Sequence, residues 1–166
     1  PILEDDPYYP LRYEGESLPR IITLESAAQP ESDDVYNGNV IYTSTFSKLL
    51  SPGIRLGWVI GPAPVIRKLS VAKQSVDLNT SVFVQMVANE IGRSGFLDEH
   101  IQIIRACYME RRDMMLETMA EMFPSDAVWT RPEGGMFLWC RIQEDIDASE
   151  VFKTAIQQNV AFVPGE

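Results

Sequence analysis

Residues 42–58 (Y-T-S-T-F-S-K-L-L-S-P-G-I-R-L-G-W) constrain the fold more than any other stretch of this 166-residue chain. Asn39-Val40-Ile41-Tyr42 at one end and Gly57-Trp58-Val59-Ile60-Gly61 at the other are β-branched and aromatic runs that suit buried strands. Between them lie the hydroxyls of Thr43, Ser44, Thr45 and Ser47, then Lys48, a Pro52-Gly53 turn and Arg55. The connection is too short for a crossover helix, so the two strands are expected to run antiparallel. Strand alternation, if it persists, puts Thr43, Thr45 and Ser47 on one side and Lys48 on the other. Hydroxyls and two cations at the end of a buried strand are costly unless an anion satisfies them. The simplest such anion is a phosphate held by hydroxyls and a guanidinium, with a lysine amine beside it for covalent chemistry.

Composition narrows the class. A net charge of -10 argues against a nucleic-acid partner or an anionic membrane surface, both of which demand a basic footprint. No apolar run is long enough to span a bilayer. Cys107 and Cys140 share no metal-ligand spacing and point to a reducing compartment, read here as cytoplasm or mitochondrion. His100, the single histidine, sits beside Glu99 in a helical pattern and is expected to be solvated rather than metal-bound.

Along the chain, Ile2 and Leu3 close an apolar strand that Pro7 stops. Glu4, Asp5 and Asp6 repel one another, so a cationic partner nearby would relieve them. Residues 10–38 read as a surface excursion with one short strand at 20–24 and an exposed acidic loop at 31–34. Residues 62–95 turn helical, with Val65, Ile66 and Leu69 on one face, apolar residues at 82, 83, 86, 87 and 91, and Ser81 as an N-cap. A long helix is expected at 97–123, its stripe running through Leu97, Ile101, Ile104, Tyr108, Met115, Met119 and Met122. Its methionines are expected to fill core and its Arg111-Arg112-Asp113 to form a polar face. Strands are expected at 127–130, 136–142 and 160–163, and an amphipathic helix at 148–158 with Val151, Phe152 and Ile156 inward. Gly134 and Gly135 read equally well as hairpin glycines or as a functional loop.

Four stretches resemble, in order, the fold-type I pyridoxal-phosphate enzymes, specifically class I/II aminotransferases of the 2-aminoadipate and kynurenine branch. They are E-D-D-P-Y-Y at 4–9, T-F-S-K at 45–48, P-G-I-R-L-G-W at 52–58 and P-E-G-G-M-F-L-W at 132–139. The resemblance implies an α/β fold: a mostly parallel sheet with helices on both faces, plus a small α+β C-terminal domain, both incomplete. Residues 1–95 would be the later part of the large domain, and 96–166 the linking helix and the truncated small domain. Subunits of that family are more than twice as long, so the chain is expected to be a piece lacking the substrate-binding arginine, unable to fold stably or transaminate alone.

The same resemblance implies transfer of an amino group from an amino acid to a 2-oxo acid, with pyridoxal 5'-phosphate carried as a Schiff base on Lys48. Thr45, Ser47 and Arg55 would hold its phosphate. An aspartate would pair with the ring nitrogen and a tyrosine three residues later with the ring's phenolic oxygen. Asp6 with Tyr9 and Asp5 with Tyr8 both fit that spacing, and the aspartate directly before Pro7 favours Asp6 and Tyr9. A homodimer is implied, with Thr80 and Ser81 near the partner's phosphate, and the turn at Phe137 near the substrate side chain. Two alternatives share the fold: another pyridoxal-phosphate reaction (lyase or decarboxylase), and the aminotransferase-like effector-binding domain of a transcription regulator.

Overall fold

The computed structural model describes residues 1–29, 35–143 and 145–165. The chain forms two compact units, Pro1–Arg111 with Glu133–Met136, and Arg112–Pro132 with Phe137–Glu166. The acidic loop expected at 31–34 lies outside the described residues.

In the first unit a three-stranded sheet has the order β1-β2-β3, with β1 Ile2–Asp5, β2 Val40–Thr45 and β3 Gly57–Ile60. β1 runs parallel to β2, pairing Ile2 with Val40 and Asp5 with Thr43. β3 runs antiparallel to β2, pairing Tyr42 with Ile60 and Thr45 with Gly57, as the short connection requires. Along β2 the burial alternates: Val40, Tyr42 and Ser44 are buried, while Ile41, Thr43 and Thr45 are half-buried. The strand ends at Thr45, where the chain turns; the Leu49 and Leu50 amides both donate to Phe46 O. Strand alternation therefore does not reach Ser47 and Lys48.

Residues 20–24 are not a strand. They open the helix α1, Ile21–Ala27. β-branched Ile21 and Ile22 favour strands locally, but Glu4 on β1 accepts both of their amides at 2.8 and 3.0 Å. A carboxylate on the first amides of a helix satisfies orphan donors and complements the helix dipole. Further along α1, Glu25 accepts the amides of Asn39 and Val40 (2.9 and 3.1 Å) and the Tyr36 hydroxyl, fixing the helix to the start of β2.

Leu11, fully buried, anchors the segment after β1. That segment carries the P-E-G-G turn alongside it. The Tyr13 and Glu14 amides both donate to Glu133 O at 3.0 Å, and the Gly135 amide to Leu11 O at 3.1 Å. Arg12 and Gly134 form an antiparallel bridge, and the Arg12 guanidinium pairs with the Glu133 carboxylate. Gly134 and Gly135 therefore run beside another segment, within the connection that joins the antiparallel strands at 128–129 and 140–141.

Helices α2 (Ala63–Val76) and α3 (Val82–Arg93) follow. Ser81 takes the N-cap position of α3 without a side-chain cap; its carbonyl accepts the Gln85 amide at 3.1 Å. The apolar periodicity is right but its burial is not, because Leu69, Val82, Phe83 and Met86 are exposed within the described chain. The long helix α4, Phe96–Met122, begins with Asp98 and Glu99 in its first turn, where the dipole favours acids. His100 is partly exposed and stacks on Phe96.

α4 runs into the second unit. Of its methionine stripe Met119 is buried, whereas Met115 and Met122 are exposed, so the methionines do not act together as core filler. Arg112 is not on a solvated face either. Its side chain is 3% exposed, pairs with Asp113 at 2.7 Å and donates to Pro132 O at 2.8 Å. A short antiparallel pair, β4 Val128–Trp129 with β5 Cys140–Arg141, replaces the longer strands expected there. Helix α5, Ala148–Gln157, starts at Asp147, whose side chain accepts the Ser149 amide at 2.8 Å. Val151 and Ile156 on it are exposed, and Phe152 is half-buried. Residues 160–163 form no strand; Phe162 instead packs edge-on against Phe152, with ring centroids 5.5 Å apart.

Candidate active site

The two faces of the sheet divide the candidate residues. Neighbouring residues on a strand point to opposite faces, so Asp5 and Asp6 cannot serve the same side. Asp6 continues the ladder, its amide donating to Thr43 O at 2.9 Å. Its carboxylate lies on the Tyr42 side of the sheet. Oδ1 accepts the Tyr9 amide, and Oδ2 accepts both the Tyr42 hydroxyl and Arg20 Nε, each at 3.0 Å. The Ser44 hydroxyl donates to the Asp6 carbonyl at 2.8 Å. The Arg20 guanidinium also stacks over the Tyr9 ring, 3.7 Å from its centroid.

Charge and burial agree with this arrangement. Burial works against the Arg20 cation, yet the Asp6 hydrogen bond and charge, with Tyr42, outweigh it and hold Arg20 above its ordinary value. Burial pushes the Tyr42 phenol up; its bond to Asp6 adds to this, against a lowering by Ser44. The cation expected to relieve the three acids is thus Arg20, in the stretch that reads from the sequence as a surface excursion. The available signal was an arginine directly after Pro19; nothing local marked a helix start there.

The other face carries Asp5, Thr43 and Thr45. Asp5 Oδ1 accepts the Thr43 hydroxyl at 3.0 Å, and among the described residues Asp5 makes no ion pair. Thr45 Oγ1 lies 2.9 Å from both Ser47 Oγ and Leu56 O and accepts the Ser47 amide at 3.1 Å. Thr45 and Ser47 are therefore brought together by the turn itself, although the strand has ended. Lys48, next in the chain, is half-buried, and among the described residues its amine has no acidic partner.

Arg55 stands at the far end of the turn in the left-handed conformation (φ 51°), donating through one nitrogen to Pro52 O at 3.1 Å. Gly57 then lets β3 pass close to β2, since a Cβ there would meet Ser44 O at 2.8 Å. Asp6 and Tyr9 are not brought to the Thr45 side, and Arg20 holds both of them on the other. A pair of hydroxyls, a guanidinium nearby in the chain and an amine without an acidic partner suit a ligand with one phosphate and one electrophilic carbon.

The model of the family "Aminotransferase class I and II" matches residues 5–166. Aromatic-amino-acid aminotransferase 1 of Thermococcus litoralis is 44% identical over 165 residues, covering 99% of this chain and 37% of its own. The crystal structure of a Pyrococcus horikoshii kynurenine aminotransferase, in complex with PMP, superposes with a TM-score of 0.85 at 46% identity. That match covers 99% of this chain and 38% of the other. The uncharacterized HTH-type transcriptional regulator YisV of Bacillus subtilis is 33% identical over 165 residues, covering 99% of this chain and 32% of its own. The chain therefore spans under two-fifths of the length of these relatives. With the family model covering nearly all its residues and the fold-type I architecture matched in a solved relative, this chain belongs to the class I and II aminotransferases.

Proposed function

We propose that the protein to which this chain belongs is a pyridoxal-phosphate-dependent aminotransferase, moving an amino group from an amino acid to a 2-oxo acid. The observation that carries the reading is the Thr45–Ser47 hydroxyl pair on the Asp5 face, followed at once by Lys48, which has no acidic partner among the described residues. When bound, pyridoxal 5'-phosphate supplies an aldehyde that takes up the amino group and a ring that accepts electrons from the substrate's α-carbon.

The chain's residues do the rest. Lys48 Nζ would hold the coenzyme at its aldehyde carbon and, when released as a free amine, would carry the proton to and from the substrate's α-carbon. The Thr45 and Ser47 hydroxyls and the remaining Arg55 donors hold the phosphate and so set the ring's tilt. Shared strand face favours Asp5 over Asp6 as the partner of the ring nitrogen, and the three-residue spacing then makes Tyr8 the phenolic partner in place of Tyr9. A carboxylate there keeps the ring nitrogen protonated and the ring electron-poor.

In the full protein, residues 1–95 and 96–166 would belong to the large and small domains, in a cytoplasmic homodimer. Among the described residues no helix is long and apolar enough to cross a membrane. The test is borohydride reduction of the full-length protein with pyridoxal phosphate, followed by peptide mapping and an assay of 2-oxo-acid-dependent turnover. A label on Lys48 with turnover supports the reading; a label on Lys68 or Lys73 overturns it.

The match to a helix-turn-helix regulator supports a second reading, an effector-binding domain of the same fold. A basic helix-turn-helix segment ahead of Pro1, with Lys48 labelled but no turnover, would select it.

A further inference from the structure

Asp5-Asp6 and Tyr8-Tyr9 are two overlapping copies of one spacing, so the chain offers two ring partners one residue apart. A one-residue slip at the end of β1 would exchange their faces. One side chain acts on both members of the second pair. Arg20 Nε donates to Asp6 Oδ2 at 3.0 Å, and the same guanidinium lies 3.7 Å from the Tyr9 ring centroid. The Asp6 side chain is 16% exposed and that of Arg20 31%, so the ion pair is shielded more than an ordinary surface pair.

Arg20 reaches this face for a reason visible in the fold. It is the N-cap residue of α1, and the first amides of α1 are held by Glu4, two residues before Asp6 and so on the same face of β1. Tyr42 and the Tyr9 amide complete the set of donors on Asp6. A planar guanidinium can fork to a carboxylate and stack on a ring at once, which a lysine cannot.

We propose that Arg20 is a positioning residue that selects the coenzyme's ring partner: by clamping Asp6 and Tyr9 on the α1 face it keeps Asp5 as the carboxylate on the ring's side. The inference rests on the assignment of Asp5 and Tyr8 made above. Without Arg20 the one-residue slip at the end of β1 is no longer opposed, and the slipped strand end turns the Asp6 carboxylate to the ring nitrogen in place of Asp5.

The experiment measures the pyridoxal-phosphate dissociation constant by absorbance in the full-length protein carrying Arg20→Leu, Arg20→Lys, Asp6→Asn, or Arg20→Leu with Asp6→Asn. Thermal midpoints of the apo forms are measured in parallel. Arg20→Leu is expected to weaken coenzyme binding about tenfold, within the range for directly coupled neighbours. Arg20→Lys, which keeps the charge but not the stack, is expected to weaken it about threefold. The double variant is expected to match Asp6→Asn alone, because the ion pair through which Arg20 acts is already gone once Asp6 is neutral. A merely structural role predicts the opposite, losses that add. Arg20→Leu binding as wild type, or a double variant weaker than either single one, would overturn the proposal; if Arg20→Leu does not fold, Arg20→Lys binding as wild type does so. Failure of the ring-partner assignment reads differently: Asp6→Asn alone would then shift the coenzyme's visible band while Asp5→Asn would not.

Discussion

Gly134 lies so close to Arg12 that a Cβ on it would meet Arg12 Cα at 2.8 Å and Leu11 O at 3.1 Å. Two backbones approach there without room for any side chain, and the contact ties the P-E-G-G turn to the segment that follows Tyr8 and Tyr9. The neighbouring Gly135 differs: its φ is 81°, and a Cβ on it would meet nothing within 4 Å.

Gly134→Ala is therefore expected to destabilise the full-length protein by about 1–3 kcal/mol, as overpacking against immovable backbone does. Gly135→Ala is expected to cost about 1–2 kcal/mol from its left-handed conformation alone. Denaturant midpoints check both. The two also separate by exchange: Gly134→Ala should expose the Tyr13 and Glu14 amides to faster hydrogen exchange, and protection unchanged from wild type would contradict the bridge.

On the proposed assignment, Asp5→Asn is expected to lower turnover by about a hundredfold or more, since it would remove the charge that keeps the ring nitrogen protonated. Asp6→Asn is expected to lower it by less than about tenfold, through loosening of Arg20 and Tyr42 alone. Steady-state kinetics of the full-length protein decide between them. The reverse order would restore Asp6 and Tyr9 as the ring partners.

Glu25 gives a pH dependence. Its carboxyl is held below the ordinary value by the Tyr36 hydroxyl first, then by the Asn39 amide. A lowered folded-state value means that its stabilisation is present above the unfolded carboxyl's range and is lost as pH falls through the lowered value. Glu25→Gln should therefore be less stable than wild type at pH 7, and the gap should close below about pH 4. Chemical denaturation at several pH values reads this directly; a gap that widens on acidification would refute the role of Glu25 as an ionised clip.

What the sequence disclosed was what is close in the chain. The strand at 39–42, the turn with Lys48 and the antiparallel return at Gly57 are a local unit, and pattern plus connection length predicted them. The pairing of Thr45 with Ser47 was legible too, although for the wrong reason: a turn brings them together where continued strand alternation was expected. The misses have long-range causes. α1 is a helix because Glu4 caps it from another strand, and no local propensity of Ile21 and Ile22 announces that. The ion pair that distinguishes Asp6 from Asp5 has the same kind of origin: Arg20 stands fourteen residues beyond Asp6 in the chain. Spacing identified both candidate pairs; the face each occupies is a property of the sheet.

Arg55 carries a last consequence. A residue with a side chain at φ 51° gives up about 1–2 kcal/mol relative to a glycine in the same place. Selection for thermal robustness alone would thus push position 55 towards glycine, and with it the guanidinium would go. On the phosphate-holding role proposed for Arg55, stability and ligand holding pull in opposite directions at this one residue, which makes position 55 a poor choice for stabilising redesign and a sensitive gauge of whether a variant was chosen for endurance or for work.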